Sequence, residues 1–107
     1  MTKGIKFDEE KTQWHLLPMD VMEIVVRVLM HGAKKYAPDN WKYVEPKERY
    51  YDAAMRHLTA RHQGQQLDNG PGGSGLPHLA CAICCLIFYL WKDTHENSLR
   101  RRGLFSR

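Results

Sequence analysis

Three stretches of the chain repeat apolar residues at helical spacing, separated by polar or glycine-rich connections. In the first, Met22, Val25, Val26 and Leu29 fall at i, i+3, i+4 and i+7, the spacing of an amphipathic helix. Val21, Ile24 and Val28 widen its apolar face past half the circumference. Pro18 suits the first turn, Asp20 and Glu23 suit the positive N-terminal end, and Gly32 is read as the stop. The second stretch opens at Pro46 and runs to about Gln63, before Gly64. It carries two stripes, one of Tyr51, Met55 and Leu58, the other of Tyr50, Ala53, Ala54, His57 and Ala60. Two stripes predict two neighbours. The third starts at Pro77 and covers the apolar run from Leu79 to Trp91, too short to cross a bilayer. It reads as a helix buried on most sides.

Outside these stretches the pattern weakens. Residues 1–16 are charged without a clear period, which predicts an ordered but irregular arm, and they lack the apolar core of a signal peptide. Residues 64–75, GQQLDNGPGGSG, form a turn-rich connection. Residues 93–107 are a basic end, and the Arg100, Arg101 and Arg102 cluster in it reads as a solvated face rather than a nucleic-acid site. No strand and no internal repeat emerges. The prediction is one all-α domain over residues 1–107, built from about three main helices. So short a chain with such broad apolar faces is expected to complete its core by pairing, as a homodimer or homotetramer.

Composition changes this picture little. Of 107 residues, 43% are hydrophobic and 26% charged, as in soluble globular proteins. The formal charge of +4 suits an anionic ligand without selecting one. Cys81, Cys84 and Cys85 are an odd set inside an apolar run, which argues against disulfides and for a reducing, cytoplasmic setting. A structural zinc site needs four ligands at defined spacing, and no second CxxC is present. The three are read as small buried hydrophobes.

Candidate chemistry lies in three constellations. Asp20 with Glu23 and Glu48 with Asp52 are carboxylate pairs close on their helix surfaces. Facing pairs would bind Mg²⁺, but Glu23 can equally pair with Arg27 and Asp52 with Arg56. His57 sits on the small-residue stripe, either as a satisfied core histidine or as a contact to phosphate or metal. His78 opens the third helix, ten residues after Asp68, a mix that suits a transition metal without being diagnostic. The segment HGAKKYAPDNW supplies Lys34 and Lys35 for phosphate, Tyr36 and Trp41 for stacking, and Asn40 for a base edge or sugar hydroxyl. Trp41 taken alone reads as a plug for the end of the core.

The strings LLPMDVMEIVVRVLMHGAKKYAPDNW, RYYDAAMRHLTARHQGQQLD and SGLPHLACAICC together resemble the phage family of dATP/dGTP diphosphohydrolase N-terminal-type domains. That family resembles a divergent branch of the all-α MazG-like nucleoside triphosphate pyrophosphohydrolases. The resemblance covers roughly residues 4–92. It implies an oligomeric enzyme dependent on Mg²⁺ (or Mn²⁺) that cuts a purine deoxynucleoside triphosphate to monophosphate and pyrophosphate. On that reading Glu23, Asp52 and Asp68 are the catalytic and metal-binding candidates, and Lys34, Lys35, Tyr36, Asn40, Trp41, Arg56, His57, Arg61 and His78 contact the nucleotide. The chain departs from the ExxE and ExxD pairs of MazG-like enzymes: Asp20-x-x-Glu23 and His78-x-x-Cys81 stand there, Gln65 comes after the glycine of the RHL helix, and of the expected acidic set Asp68 remains. A second class therefore stays open, a protein that sequesters a signalling nucleotide, for example against host defence, without cutting it and without a metal.

Overall fold

The computed structural model describes residues 3–96. Three α-helices carry the fold: α1 Met19–Lys35, α2 Glu48–His62 and α3 His78–Thr94. Short 3₁₀ turns form at Trp14–Leu16 and Asn40–Tyr43. Among the described residues there is no strand, and an isolated bridge pairs Leu67 with Pro77. The class is all-α, as the periodicity predicts. Residues 3–13 have no helix, and the Arg100–Arg102 cluster lies outside the described residues.

Prolines precede the helices as expected. Pro18 and Pro77 stand directly before α1 and α3, where a missing N–H costs nothing. The end of α1 differs from the sequence reading. The helix passes through Gly32 and stops at Lys35, closed by Tyr36 N–H donating to Gly32 O at 2.9 Å. A glycine ends a helix when it adopts positive φ, and Gly32 does not, unlike Gly64, Gly72 and Gly75. Lys34 and Lys35 thus belong to the last helical turn, where cations complement exposed carbonyls.

α3 is the central element, with α2 and α1 packed against it. α2 and α3 are antiparallel. Lys47, just before α2, pairs with Asp93 at 2.9 Å and with Glu96, at the far end of α3, while His57, late in α2, meets His78 at the start of α3. The buried seam of α3 is made of small side chains: Ala80, Cys81, Ala82, Cys84 and Cys85. Val25 of α1 is 0% exposed against this seam, and the Cys84 thiol donates to Val25 O at 3.4 Å. Met22, Leu29, Ile83, Ile87 and Phe88 pack around that contact. The cysteines are free and buried. Burial pushes the Cys84 thiol up to about 12 and the Cys85 thiol to about 11, so both remain protonated spacers.

Of the two α2 stripes, the one with Ala54 faces α3, while Tyr51, Met55 and Leu58 stay exposed. α3 is less covered than its sequence suggests, since Leu79, Leu86 and Leu90 are exposed too.

Residues 37–46 are tied down by aromatic packing. Trp41 stacks on Phe88 with centroids 4.5 Å apart and meets Trp91 edge-on. Tyr50 packs edge-on against Phe88, and its hydroxyl donates to Trp41 O at 3.4 Å. The buried Lys92 ammonium donates to Lys42 O at 3.1 Å and lies 3.9 Å from Glu45.

Val25 and its neighbour Val26 make a clean comparison. Val26 is 48% exposed. Val25→Ala should cost about 2 kcal/mol of unfolding free energy, and Val26→Ala less than about 0.5 kcal/mol. Urea titration followed by circular dichroism measures both, and equal losses would mean that α1 is not seated on α3 through Val25.

Candidate functional site

A cavity of about 960 Å³ opens where the C-terminal half of α1, the segment after it, one face of α2, the glycine-rich loop and α3 from Cys81 to Phe88 come together. Gly32 forms part of its wall. A side chain there would narrow the cavity, which gives a mid-helix glycine a local reason. Asp39, at φ 64° in the left-handed region, turns the chain into the Asn40–Tyr43 turn.

The structure collects many of the sequence-predicted residues at this cavity. Lys35, Tyr36, Asn40, Trp41, Asp52, Arg56, His57 and Asp68 all line it. Lys35 reaches across to the glycine-rich loop, its ammonium donating to Gly72 O at 3.2 Å and lying 5.2 Å from the Tyr36 ring centroid. Tyr36 is exposed, so its ring remains available to a ligand. Trp41 stacks in the core, as a plug for its end would, and also forms a wall of the cavity.

Others lie elsewhere. Glu23 is on the outer surface of α1, paired with Arg27 at 3.5 Å, and does not line the cavity. Lys34 and Arg61 are exposed and do not line it either. His78 is buried behind His57, the two Nδ1 atoms 2.9 Å apart. Asp52, in contrast to Glu23, makes no salt bridge among the described residues, with Arg56 or otherwise.

The glycine-rich loop is folded around Asp68. Its N–H donates to Leu76 O at 2.9 Å, its carbonyl accepts from Gly75 N–H at 2.8 Å, and its Oδ2 accepts from Ser74 N–H at 3.3 Å. A Cβ on Gly73 would lie 2.4 Å from Asp68 O and 2.8 Å from Asp68 Oδ1, so only glycine fits. Burial lowers the His57 pKa from its ordinary value, with His78 and Arg56 adding to the effect and Asp68 opposing it. His57 is therefore neutral at physiological pH. Burial also raises the Cys81 thiol.

Sequence reasoning missed Arg49, Gly72, Ser74 and Cys81 as lining residues. Arg49 lies one helical turn before Asp52 and Ala53 on the cavity side of α2, a signal that spacing could have supplied. Gly72 and Ser74 sit in a loop whose path no periodicity encodes.

Gly73→Ala tests the loop. It should destabilise by about 1–3 kcal/mol, because backbone must shift to admit the methyl group. Gly70→Ala, with open space around its Cβ position, should stay within about 0.5 kcal/mol. Thermal unfolding of the two variants decides; a silent Gly73→Ala would refute the loop path around Asp68.

The family described as dATP/dGTP diphosphohydrolase, N-terminal, matches residues 1–102. A dATP/dGTP diphosphohydrolase of Salmonella phage PMBT28 is 36% identical over 88 residues, covering 82% of this chain and 29% of that protein. The chain thus spans less than a third of that relative's length. No solved structure matches. With nearly the whole chain matched, this protein belongs to the dATP/dGTP diphosphohydrolase N-terminal family.

Proposed function

We propose that this domain binds a purine deoxynucleoside triphosphate in the cavity and hydrolyses it to the monophosphate and pyrophosphate. The observation that carries the reading is the convergence of Lys35, Arg49 and Arg56 with Tyr36 and Asn40 around one cavity of ligand-holding size. The name of the phage relative supports the reaction class. Lys35 and Arg56 would hold phosphate oxygens, Tyr36 would stack on the base, and Asn40 would meet a base edge or sugar hydroxyl.

Mg²⁺ or Mn²⁺ accompanying a triphosphate draws most of its ligands from phosphate oxygens and water, with one or two protein carboxylates. Asp52 and Asp68 both line the cavity and would be the carboxylates to meet that need; Glu23 is ion-paired with Arg27 and does not line it. When bound, the ion would neutralise phosphate charge. Asp52, without an ion-pair partner among the described residues, is the carboxylate available to orient the attacking water. Water would add at the α-phosphorus and give up a proton to the Asp52 carboxylate, which passes it to solvent, as the bond to the bridging oxygen breaks and pyrophosphate leaves.

A second reading, sequestration without cleavage, is favoured by the scarcity of carboxylates. Asp39 is engaged with Lys42 at 3.4 Å and Asp68 with the loop, which leaves Asp52. Incubation with a panel of deoxynucleotides and cyclic nucleotides, with Mg²⁺ or Mn²⁺, separates the two readings. New products by chromatography support the hydrolase; a ligand depleted and recovered intact after denaturation supports sequestration.

Lys35→Ala should weaken nucleotide binding by roughly 1.5–3 kcal/mol, the range of a lost charge-assisted bond. Lys34→Ala, outside the cavity, should change it much less. Calorimetric titration of both reads the difference, and an unchanged affinity for Lys35→Ala removes the phosphate role.

The assembly we propose is a homodimer or homotetramer in the cytoplasm, supported by the exposed stripes of Leu79, Leu86 and Leu90 on α3 and Tyr51, Met55 and Leu58 on α2. No helix among the described residues is long and apolar enough to cross a membrane. Light scattering at micromolar concentration should give at least a dimer mass, and Leu86→Glu should reduce it. A monomer for the unaltered chain would refute the pairing.

A further inference from the structure

At one end of the cavity lies a group of side chains of which the nucleotide reading uses only the Asp68 carboxylate. His57 of α2, Asp68 of the glycine-rich loop and Cys81 of α3 each bring one ligand atom to within 4.8 Å of the others. The donor set is nitrogen, oxygen and sulfur. Mg²⁺ takes oxygen ligands and avoids thiolate, whereas imidazole and thiolate together suit Zn²⁺ and neighbouring transition ions. Zinc ligands lie about 2.0–2.3 Å from the ion, hence roughly 3–4 Å from one another in a tetrahedron. The side chains therefore need only small adjustments to close on an ion.

Each of the three is also held by a neighbour. His57 Nδ1 lies 2.9 Å from His78 Nδ1. With His57 Nδ1–H donating to His78 Nδ1, His57 Nε2 is left free to coordinate, the usual way a buried partner orients a metal-binding imidazole. Ser74 N–H donates to Asp68 Oδ2 at 3.3 Å, and Ser74 Oγ lies 3.6 Å from Cys81 Sγ. Gly73 packs against the other Asp68 oxygen with no room for a side chain. Three elements distant in sequence are thus braced around one point. His57, Asp68 and Cys81 all line the cavity, so a fourth coordination position would open into it, as in zinc sites that keep a place for water or substrate.

We propose that His57, Asp68 and Cys81 form a binding site for a borderline-soft divalent cation of the Zn²⁺ class, with His78 and Ser74 as positioning residues and an open position facing the cavity. Binding replaces the Cys81 S–H bond with a metal–thiolate bond and releases one proton to solvent. The site does not depend on the nucleotide reading. It differs from a Mg²⁺ site that travels with a triphosphate, although Asp68 has oxygens enough to contribute to either.

The test uses the full chain, stripped of metal and titrated with Co²⁺ as a spectroscopic substitute, then with competing Zn²⁺. The expected result is one ion per chain, a thiolate-to-cobalt charge-transfer band, displacement by Zn²⁺, and persistence of the band in excess Mg²⁺. Cys81→Ser should abolish the band, while Cys84→Ser keeps it. His57→Gln and Asp68→Asn should each weaken binding at least about tenfold, with helix content by circular dichroism checked for every variant. Absence of the band, its survival in Cys81→Ser, or its loss to Mg²⁺ would overturn the site. If Cys81→Ser fails to fold, the Asp68→Asn affinity decides, and an unchanged value refutes the proposal.

Discussion

The close approach of α2 and α1 to α3 governs everything else in this molecule. It is possible because the seam of α3 consists of alanines and cysteines. Ala80, Ala82 and Cys84 leave α3 so thin on its inner side that Val25 and Ala54 can bury themselves against it. Dispersion contacts at that distance are individually tiny but collectively large. The same small side chains cannot fill the space further along, where α1 carries Gly32 and Ala33 and α2 carries Ala53. The cavity is what remains. Cys81, Cys84 and Cys85 belong to both features, packed in the seam and lining the cavity. Core and site are therefore one construction, and a larger residue at those positions would fill the site as it strained the core.

The polar rim depends on that seam in turn. Residues 37–46 have few apolar groups of their own, so they need anchors. Phe88 and Trp91 of α3 supply flat surfaces for Trp41, and Lys92 reaches back to the Lys42 carbonyl. Lys47 is held by Glu96 and Asp93, whose hydrogen bonds raise its pKa above its ordinary value. These contacts place the start of α2, and with it Arg49 and Asp52, against the cavity. An ion-pair network at the surface is worth little as stability; its use here is positional.

The range over which each signal acts decides how much could be read from the chain. The helices were legible because a 3.6-residue period and preceding prolines are local signals. Gly32 misled because glycine is a stop only when its φ is positive, and the backbone path beyond it, not its identity, sets that angle. Lys35, His57 and Asp68 were legible as chemistry-bearing residues, but not their convergence, which needs the loop to fold back on Asp68 through Gly73. Glu23 and Asp52 looked alike in sequence, each with an arginine one turn later. In the structure Glu23 is paired on the outer face and Asp52 is not, since only the helix rotation against α3 separates the two. Cys81 was hidden by its apolar surroundings. The residues that give it another meaning, His57 and Ser74, lie on other elements.

Entry of a ligand would begin at the rim, with Lys35. Its side chain is held at the end of α1, where the helix terminus favours a cation, and its ammonium rests on the carbonyl of Gly72. That carbonyl is a neutral acceptor. A phosphate oxygen is a charged one, and charge-assisted hydrogen bonds are roughly twice as strong. Gly72 sits at φ 74° with Lys35 Nζ only 3.2 Å from where its Cβ would be, so the loop tolerates the lysine closely but holds it by a single bond. An incoming phosphate would thus exchange a weak contact for a stronger one without first breaking an ion pair. The glycine-rich loop, whose Asp68 end is fixed by hydrogen bonds and whose Gly72 end is held by Lys35, would be released on that side only. On that reading, the amine that would bind the phosphate is the one that now donates to the Gly72 carbonyl.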